Sequence, residues 1–230
     1  MPSPATASTP RPSTRTSREW DNTGLTRVVP VGSLNVMAGT LFITGNTAAD
    51  KLLNTNANAL LIGMLLDQQV PMEWAFNGPS TLKARLGHLD PKKIAAMDVE
   101  EFVSICCEKP AIHRFPGSMG KRIHAVCETL VADYKGNAVN IWKGVDDADE
   151  VYRRLRALPG YGEEKSKIFI AILGKSQGVE LTGWREAAGK FGDDTPRSVA
   201  DVHDDASLGK VREWKKAQKA AKKDKQDRPV

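Results

Sequence analysis

From Thr47 to Leu173 apolar residues recur at intervals of three and four with little interruption, a period that places them on one face of a helix and on both faces of a strand. The spacing predicts helices over 48–53, 57–69, 80–86, 91–97, 99–107, 118–134, 148–157 and 163–173. Several carry start signals: Pro91 follows Asp90, Asp98 has Glu101 three residues on, and Ser118 precedes a long amphipathic run. Only 40–44 alternates in the manner of a strand. The expected class is all-α, with many short helices, tight turns and no repeat period. Beyond Gly174 the pattern loosens, and a last helix from Ser207 places Lys215, Lys219, Lys222 and Lys223 at helical spacing.

Two classes are excluded early. The longest apolar run, 59–66, is broken by Gly63 and ends at Asp67, far short of the ~20 apolar residues of a bilayer crossing. The three cysteines, Cys106, Cys107 and Cys127, cannot all pair, form no CxxC and are too few for a four-thiolate metal site, which points to a reducing compartment.

The net charge of +5 suggests an acidic partner, but it is unevenly placed. Residues 210–230 carry +6 and residues 1–36 carry +2, which leaves −3 for 37–209. A nucleic acid would therefore be held by a local patch or by backbone amides, helped by a basic tail. Residues 1–18 hold four Pro, four Ser, four Thr and three Arg with no acid, and are expected to be disordered. Such a start also suits an organellar transit peptide, although its prolines oppose the helix that one needs. Met37 is an alternative start. The chain thus divides into a disordered extension, 1–36, a body, 37–209, and a basic tail, 210–230.

The most informative stretch is Leu158, Pro159, Gly160, Tyr161, Gly162, between two amphipathic helices. Two glycines one apart open backbone conformations closed to other residues, so a tight turn can present consecutive amides at a helix N-terminus, an arrangement that holds a phosphate without a basic side chain. The bland alternative is an ordinary helix–helix connection.

The segment LPGYGEEKSKIF resembles the DNA-binding hairpin of the helix-hairpin-helix, Gly/Pro-rich, catalytic-Asp (HhH-GPD) superfamily of base-excision DNA glycosylases. LLIGMLLDQQVPMEWAF, over 60–76, is similar to the helix in that superfamily whose glutamine fills the gap left by a flipped base, and KPAIHRFPGSMGKRI, over 109–123, suits an uncharacterised branch of it. The resemblance implies a two-lobed fold with a cleft between the lobes. It implies contact with double-stranded DNA through Leu158, Pro159, Gly160, Tyr161, Gly162 and Lys165, with Gln68 or Gln69 in the gap. In the superfamily the hairpin carbonyls also hold a monovalent cation; no other cofactor is expected, and the iron–sulfur cluster of some members has no cysteines here. A monomer, cytoplasmic and nucleoid-associated, is the implied form.

Departures bear on the chemistry. The superfamily's catalytic aspartate falls on Thr182 or Gly183, neither a carboxylate. Glu180 and Asp201 are the first substitutes, with Glu186, Asp193 and Asp194 behind them. The position of the superfamily's lyase lysine is Glu164; Lys165 is one residue off, turned by about 100° on a helix, so excision without lyase activity is expected. The implied activity is a monofunctional DNA N-glycosylase. The rivals are a non-catalytic lesion-sensing or nucleoid-associated protein that kept the scaffold, and a protein-interaction module. Among the other singled-out residues, His113 and Arg114 before Phe115 read as a buried pair fixing a turn, or as a wedge. His124 reads as structural, and Trp184 as packing or as the wall of a base pocket.

Overall fold

The computed structural model describes the backbone of residues 18–19, 27–28 and 39–226. The disorder expected of 1–36 lies outside the described residues except at 18–19 and 27–28, which pair as two short strands. The chain forms two compact units, Met1–Val36 and Met37–Val230. In the first, β1 (Arg18–Glu19) pairs antiparallel with β2 (Arg27–Val28), Arg18 facing Val28.

The second unit is all-α. Its helices are α1 (Thr47–Thr55), α2 (Ala57–Leu66), α3 (Met72–Leu86), α4 (Pro91–Ala95), α5 (Val99–Cys107), α6 (Pro116–Tyr134), α7 (Ala148–Arg156), α8 (Glu163–Ser176), α9 (Trp184–Ala188) and α10 (Asp205–Gln226), with 3-10 turns at Ala138–Ile141, Gly189–Phe191 and Val199–Asp201. Two of the start signals act as expected, Asp98 accepting from the amides of Glu100 and Glu101 and Asp90 from that of Lys92, whereas α6 begins at Pro116, ahead of Ser118, with Phe115 as a cap that makes no side-chain bond.

The centre is α2. All of its residues except Asn58 are buried, and a helix apolar on every side has nowhere to lie but inside. It packs against α1, α3, α6 and α8. One group of helices, α4 and α5, closes on α6, while α7, α9 and the Val199–Asp201 turn close on α8.

Four expectations are corrected. Residues 40–44 bury Leu41 and Ile43, yet no strand forms: the amides of Thr40 and Phe42 donate to the carbonyls of Ser176 in α8 and of Val202 just past the Val199–Asp201 turn. Helix α3 begins at Met72 rather than near residue 80, carrying Pro79 in its interior at the loss of one backbone donor. Helix α8 runs through Gly174, where a Cβ would sit 2.5 Å from the Trp184 ring, so this glycine allows close packing and does not end the helix. The basic segment is no detached tail at its start. Helix α10 begins at Asp205, buries Leu208 and Val211, and pairs Arg212 with Glu73 of α3 at 2.5 Å.

Candidate nucleic-acid interface

The turn between α7 and α8 is Leu158–Gly162. Leu158 is buried, Pro159 half-buried, and Gly160 and Gly162 are exposed. Gly160 has φ +81°, a conformation costly for other residues, and a Cβ there would lie 2.7 Å from Leu65 Cδ1. Gly162 differs from the expectation: its φ is −81° and ψ 177°, so the backbone is ordinary, and open space surrounds the position of a Cβ. What Gly162 contributes is bareness, since it stands as the N-cap of α8 with no side chain over the first-turn amides. In that first turn stand Glu163 and Glu164, whose charges are met by Lys167 at 2.6 Å and Lys190 at 2.8 Å.

The hairpin is clamped to α2. Tyr161 is buried, and its hydroxyl donates to the Leu61 carbonyl at 2.6 Å, with burial raising its pKa well above the ordinary phenol value. Lys165 Nζ donates to the Leu65 carbonyl. The one-residue offset separates Glu164 and Lys165 as the helical step requires, but it is Glu164 that faces solvent and Lys165 that lies against α2. Burial lowers the Lys165 ammonium to about 8, against the opposite pull of Asp67.

Past the end of α2 the two glutamines part company. Gln68 is tied down: its amide nitrogen donates to Met119 Sδ at 2.9 Å, its side-chain oxygen accepts from Arg122 at 3.4 Å, and its backbone carbonyl accepts from His113 Nε2 at 2.9 Å. Gln69 is exposed and has φ +57°, a strained conformation for a residue with a Cβ. The two glutamines, His113, Phe115, Ser118, Met119 and Arg122 line a cleft of about 230 Å³. His113 is buried. Its Nδ1 accepts from the Phe115 amide at 3.0 Å, which leaves the proton on Nε2, and burial lowers its pKa below the ordinary imidazole value. It fixes a turn, but without Arg114, whose guanidinium lies outside over Phe115 at 5.3 Å. Phe115, 45% exposed, gives the cleft an aromatic wall.

The other candidates lie elsewhere. Asp201 Oδ2 accepts from the amides of Arg197 and Ser198 and the Ser198 hydroxyl, and Oδ1 pairs with Lys175 at 2.6 Å; it is the saturated cap of a 3-10 turn at the far end of α8. Glu180 is exposed just beyond α8. Thr182 is anchored at the start of α7, donating to the Asp146 carbonyl at 2.7 Å and accepting from Ala148 at 3.1 Å. That end of the nine-residue helix is ~14 Å of rise from the hairpin. His124 is buried against the Met97 carbonyl, and Trp184 packs on Gly174. Sequence reasoning passed over Arg122, which lines the cleft beside Gln68.

Among the described residues no group of three or more His, Cys, Asp or Glu is placed to hold a metal ion, and no helix is long and apolar enough to cross a membrane. No curated protein and no solved structure matches the chain. A family model described as HhH-GPD superfamily base excision DNA repair protein matches residues 62–228, from within α2 to beyond α10 and across the whole hairpin. With a glycine turn that bares the first amides of α8 and a cleft bordered by Gln68 and Gln69, the chain belongs to the HhH-GPD superfamily of base excision DNA repair proteins.

Proposed function

We propose that this base excision repair protein is a monofunctional DNA N-glycosylase, which grips one strand at the Leu158–Gly162 turn and fills the stack with Gln69 when a damaged or mispaired base is flipped out. The observation that carries the reading is the clamp between hairpin and α2. Tyr161 and Lys165 bond the carbonyls of Leu61 and Leu65, so the phosphate-binding amides and Gln69 are held on one rigid block. Strand grip and base displacement are then coupled without loop movement. Phe115 offers an exposed ring across the cleft for stacking on the orphaned partner base, with Arg114 beside it for phosphate. Gln68, already occupied by Met119 and Arg122, serves as the floor.

The test is a screen of purified protein against duplexes that each carry one modified or mispaired base, scored for base release. Release from at least one, with loss of discrimination in Gln69→Ala, is expected. If none loses a base while lesion duplexes are bound tighter than undamaged ones, a lesion sensor replaces the enzyme. Thr182 at the superfamily's aspartate position and the saturated state of Asp201 are the observations that favour this second reading.

A further inference from the structure

The loop between α5 and α6 is braced from α3. Arg85 donates to the carbonyls of Ile105 and Pro110, each at 2.7 Å, and the Trp74 indole N–H donates to the Ala111 carbonyl at 3.1 Å. On this braced loop stands His113, 1% exposed, its ring centroid 6.4 Å from that of Trp74 and 6.0 Å from that of Phe115. Both ring nitrogens are engaged, and their partners come from two segments that line the cleft. Nδ1 accepts the Phe115 amide at 3.0 Å, and Nε2 donates at 2.9 Å to the Gln68 carbonyl, 45 residues away in the chain. That carbonyl belongs to the peptide unit that carries the Gln69 nitrogen, so its direction sets the plane from which the Gln69 φ is measured. The φ is +57°, which a residue with a Cβ keeps only when its surroundings hold it there. Among the described residues no other hydrogen bond reaches this peptide unit.

We propose that His113 is the positioning residue of base displacement: one neutral imidazole holds Gln69 in its stack-filling conformation and sets it in register with Phe115. The proposal rests on the stack-filling reading of Gln69 and names the residue that prepares it. His113 acts through Gln69 and Phe115 and contacts no nucleotide itself. A gap-filling group that is already in place pays no ordering cost when the duplex arrives, so its loss shows as lost preference for a gapped duplex. The imidazole has to be neutral. An imidazolium carries a proton on both nitrogens, and its Nδ1–H then meets the Phe115 N–H donor to donor. Burial is the largest influence on the ring and lowers its pKa; Lys165 from α8 and Arg122 from α6 also oppose the proton, the carbonyls of Gln68 and Leu66 favour it, and α3 presents the uncharged Trp74 ring. Gap preference is therefore present at neutral pH and is lost as pH falls through this lowered pKa.

The experiment uses the full chain and a duplex in which an abasic tetrahydrofuran stands opposite 2-aminopurine, whose fluorescence reports stacking; an intact duplex is the control. Wild-type protein is expected to prefer the gapped duplex by about tenfold or more and to change the 2-aminopurine signal. The side chain of His113→Asn can still accept from the Phe115 amide but is too short for the Gln68 carbonyl. This variant is expected to lose both the preference and the signal while binding intact duplex as before. Combined with Gln69→Ala, it should add nothing to the loss that Gln69→Ala causes alone, because both empty the same gap. Additive losses, a preference kept in His113→Asn, or no preference in the wild type overturn the proposal. Should His113→Asn melt without cooperativity, pH decides in its place: between about pH 7 and about pH 5 the gap preference should fall in the wild type and stay flat in Gln69→Ala. Parallel pH profiles overturn the proposal. None of these readouts depends on turnover. Gap preference lost in His113→Asn, with no base released from any lesion duplex, keeps the assignment and removes the glycosylase reading; base release with an unchanged gap preference in His113→Asn does the reverse.

Discussion

Gly160 and Gly162 stand two apart in one turn and require glycine for different reasons. Gly160 needs it for its φ of +81° and the approach of Leu65; at Gly162 the backbone is ordinary and space is open, and glycine leaves the start of α8 without a side chain at its N-cap. Gly160→Val should therefore destabilise the fold by about 1–3 kcal/mol in chemical denaturation, whereas Gly162→Val should unfold at the wild-type denaturant concentration and lose at least tenfold in duplex affinity. Equal affinity of Gly162→Val and wild type would remove the amide cradle. Gln69 gives the opposite trade. Gln69→Gly relieves its φ of +57° and should raise stability by about 1 kcal/mol while reducing discrimination between lesion and intact duplexes. The sequence marked both glycines and both glutamines. It could not divide their roles, because φ at Gly162 and the ties of Gln68 to Met119 and Arg122 depend on elements brought in from elsewhere.

At the level of elements, periodicity located most helices, and the differences share one cause. The strand-like alternation of 40–44 is real as burial of Leu41 and Ile43, but strand formation needs a neighbouring edge, and none lies there. Charge counting separated residues 210–230 from the body, while burial of Val211 and the Arg212–Glu73 pair attach the start of α10 to it. Two truncations separate the effects. Removal of 217–230 should leave the melting temperature within a few degrees of wild type and flatten the slope of log K against log salt for all duplexes alike, as loss of non-specific phosphate contacts requires. Removal of 210–230 should also destabilise the fold, since it strips Val211 from the core. A salt slope unchanged by the shorter truncation would place this segment away from DNA.

For the whole molecule, the clamp between hairpin and α2 leaves a signature in the pH dependence of stability. Lys165 has a pKa of about 8 in the folded protein, below the ordinary value of 10.5. Above pH 8 the unfolded chain then binds more protons than the folded one, so stability rises with pH through this window, and below pH 8 the cost of the buried charge is fully present. Between pH 8 and 10 this group contributes a rise in the melting temperature of the wild type, set against the fall contributed by Cys106, Cys127 and Tyr161, which ionise more readily in the unfolded chain than in the fold. The rise should be smaller in Lys165→Met. Matching pH profiles would mean that Lys165 is solvated rather than held against α2.

Local chemistry carried the all-α class, the hairpin turn and the apolar helix before the glutamines, although that helix ends at Leu66 and leaves Gln68 and Gln69 outside it, because helical period, capping residues and glycine turns act among residues a few positions apart. Tertiary structure decided which residues stand beside the hairpin. The bonds from Tyr161 to Leu61 and from Lys165 to Leu65 each span 100 residues, and they bring the hairpin to the end of α2 where Asp67 stands. Counting along the chain from the hairpin led to Thr182, Glu180 and Asp201, which lie toward the far ends of α7 and α8. Distance along a chain measures position within a helix well and position across a packed core hardly at all, since packing joins whichever apolar faces fit.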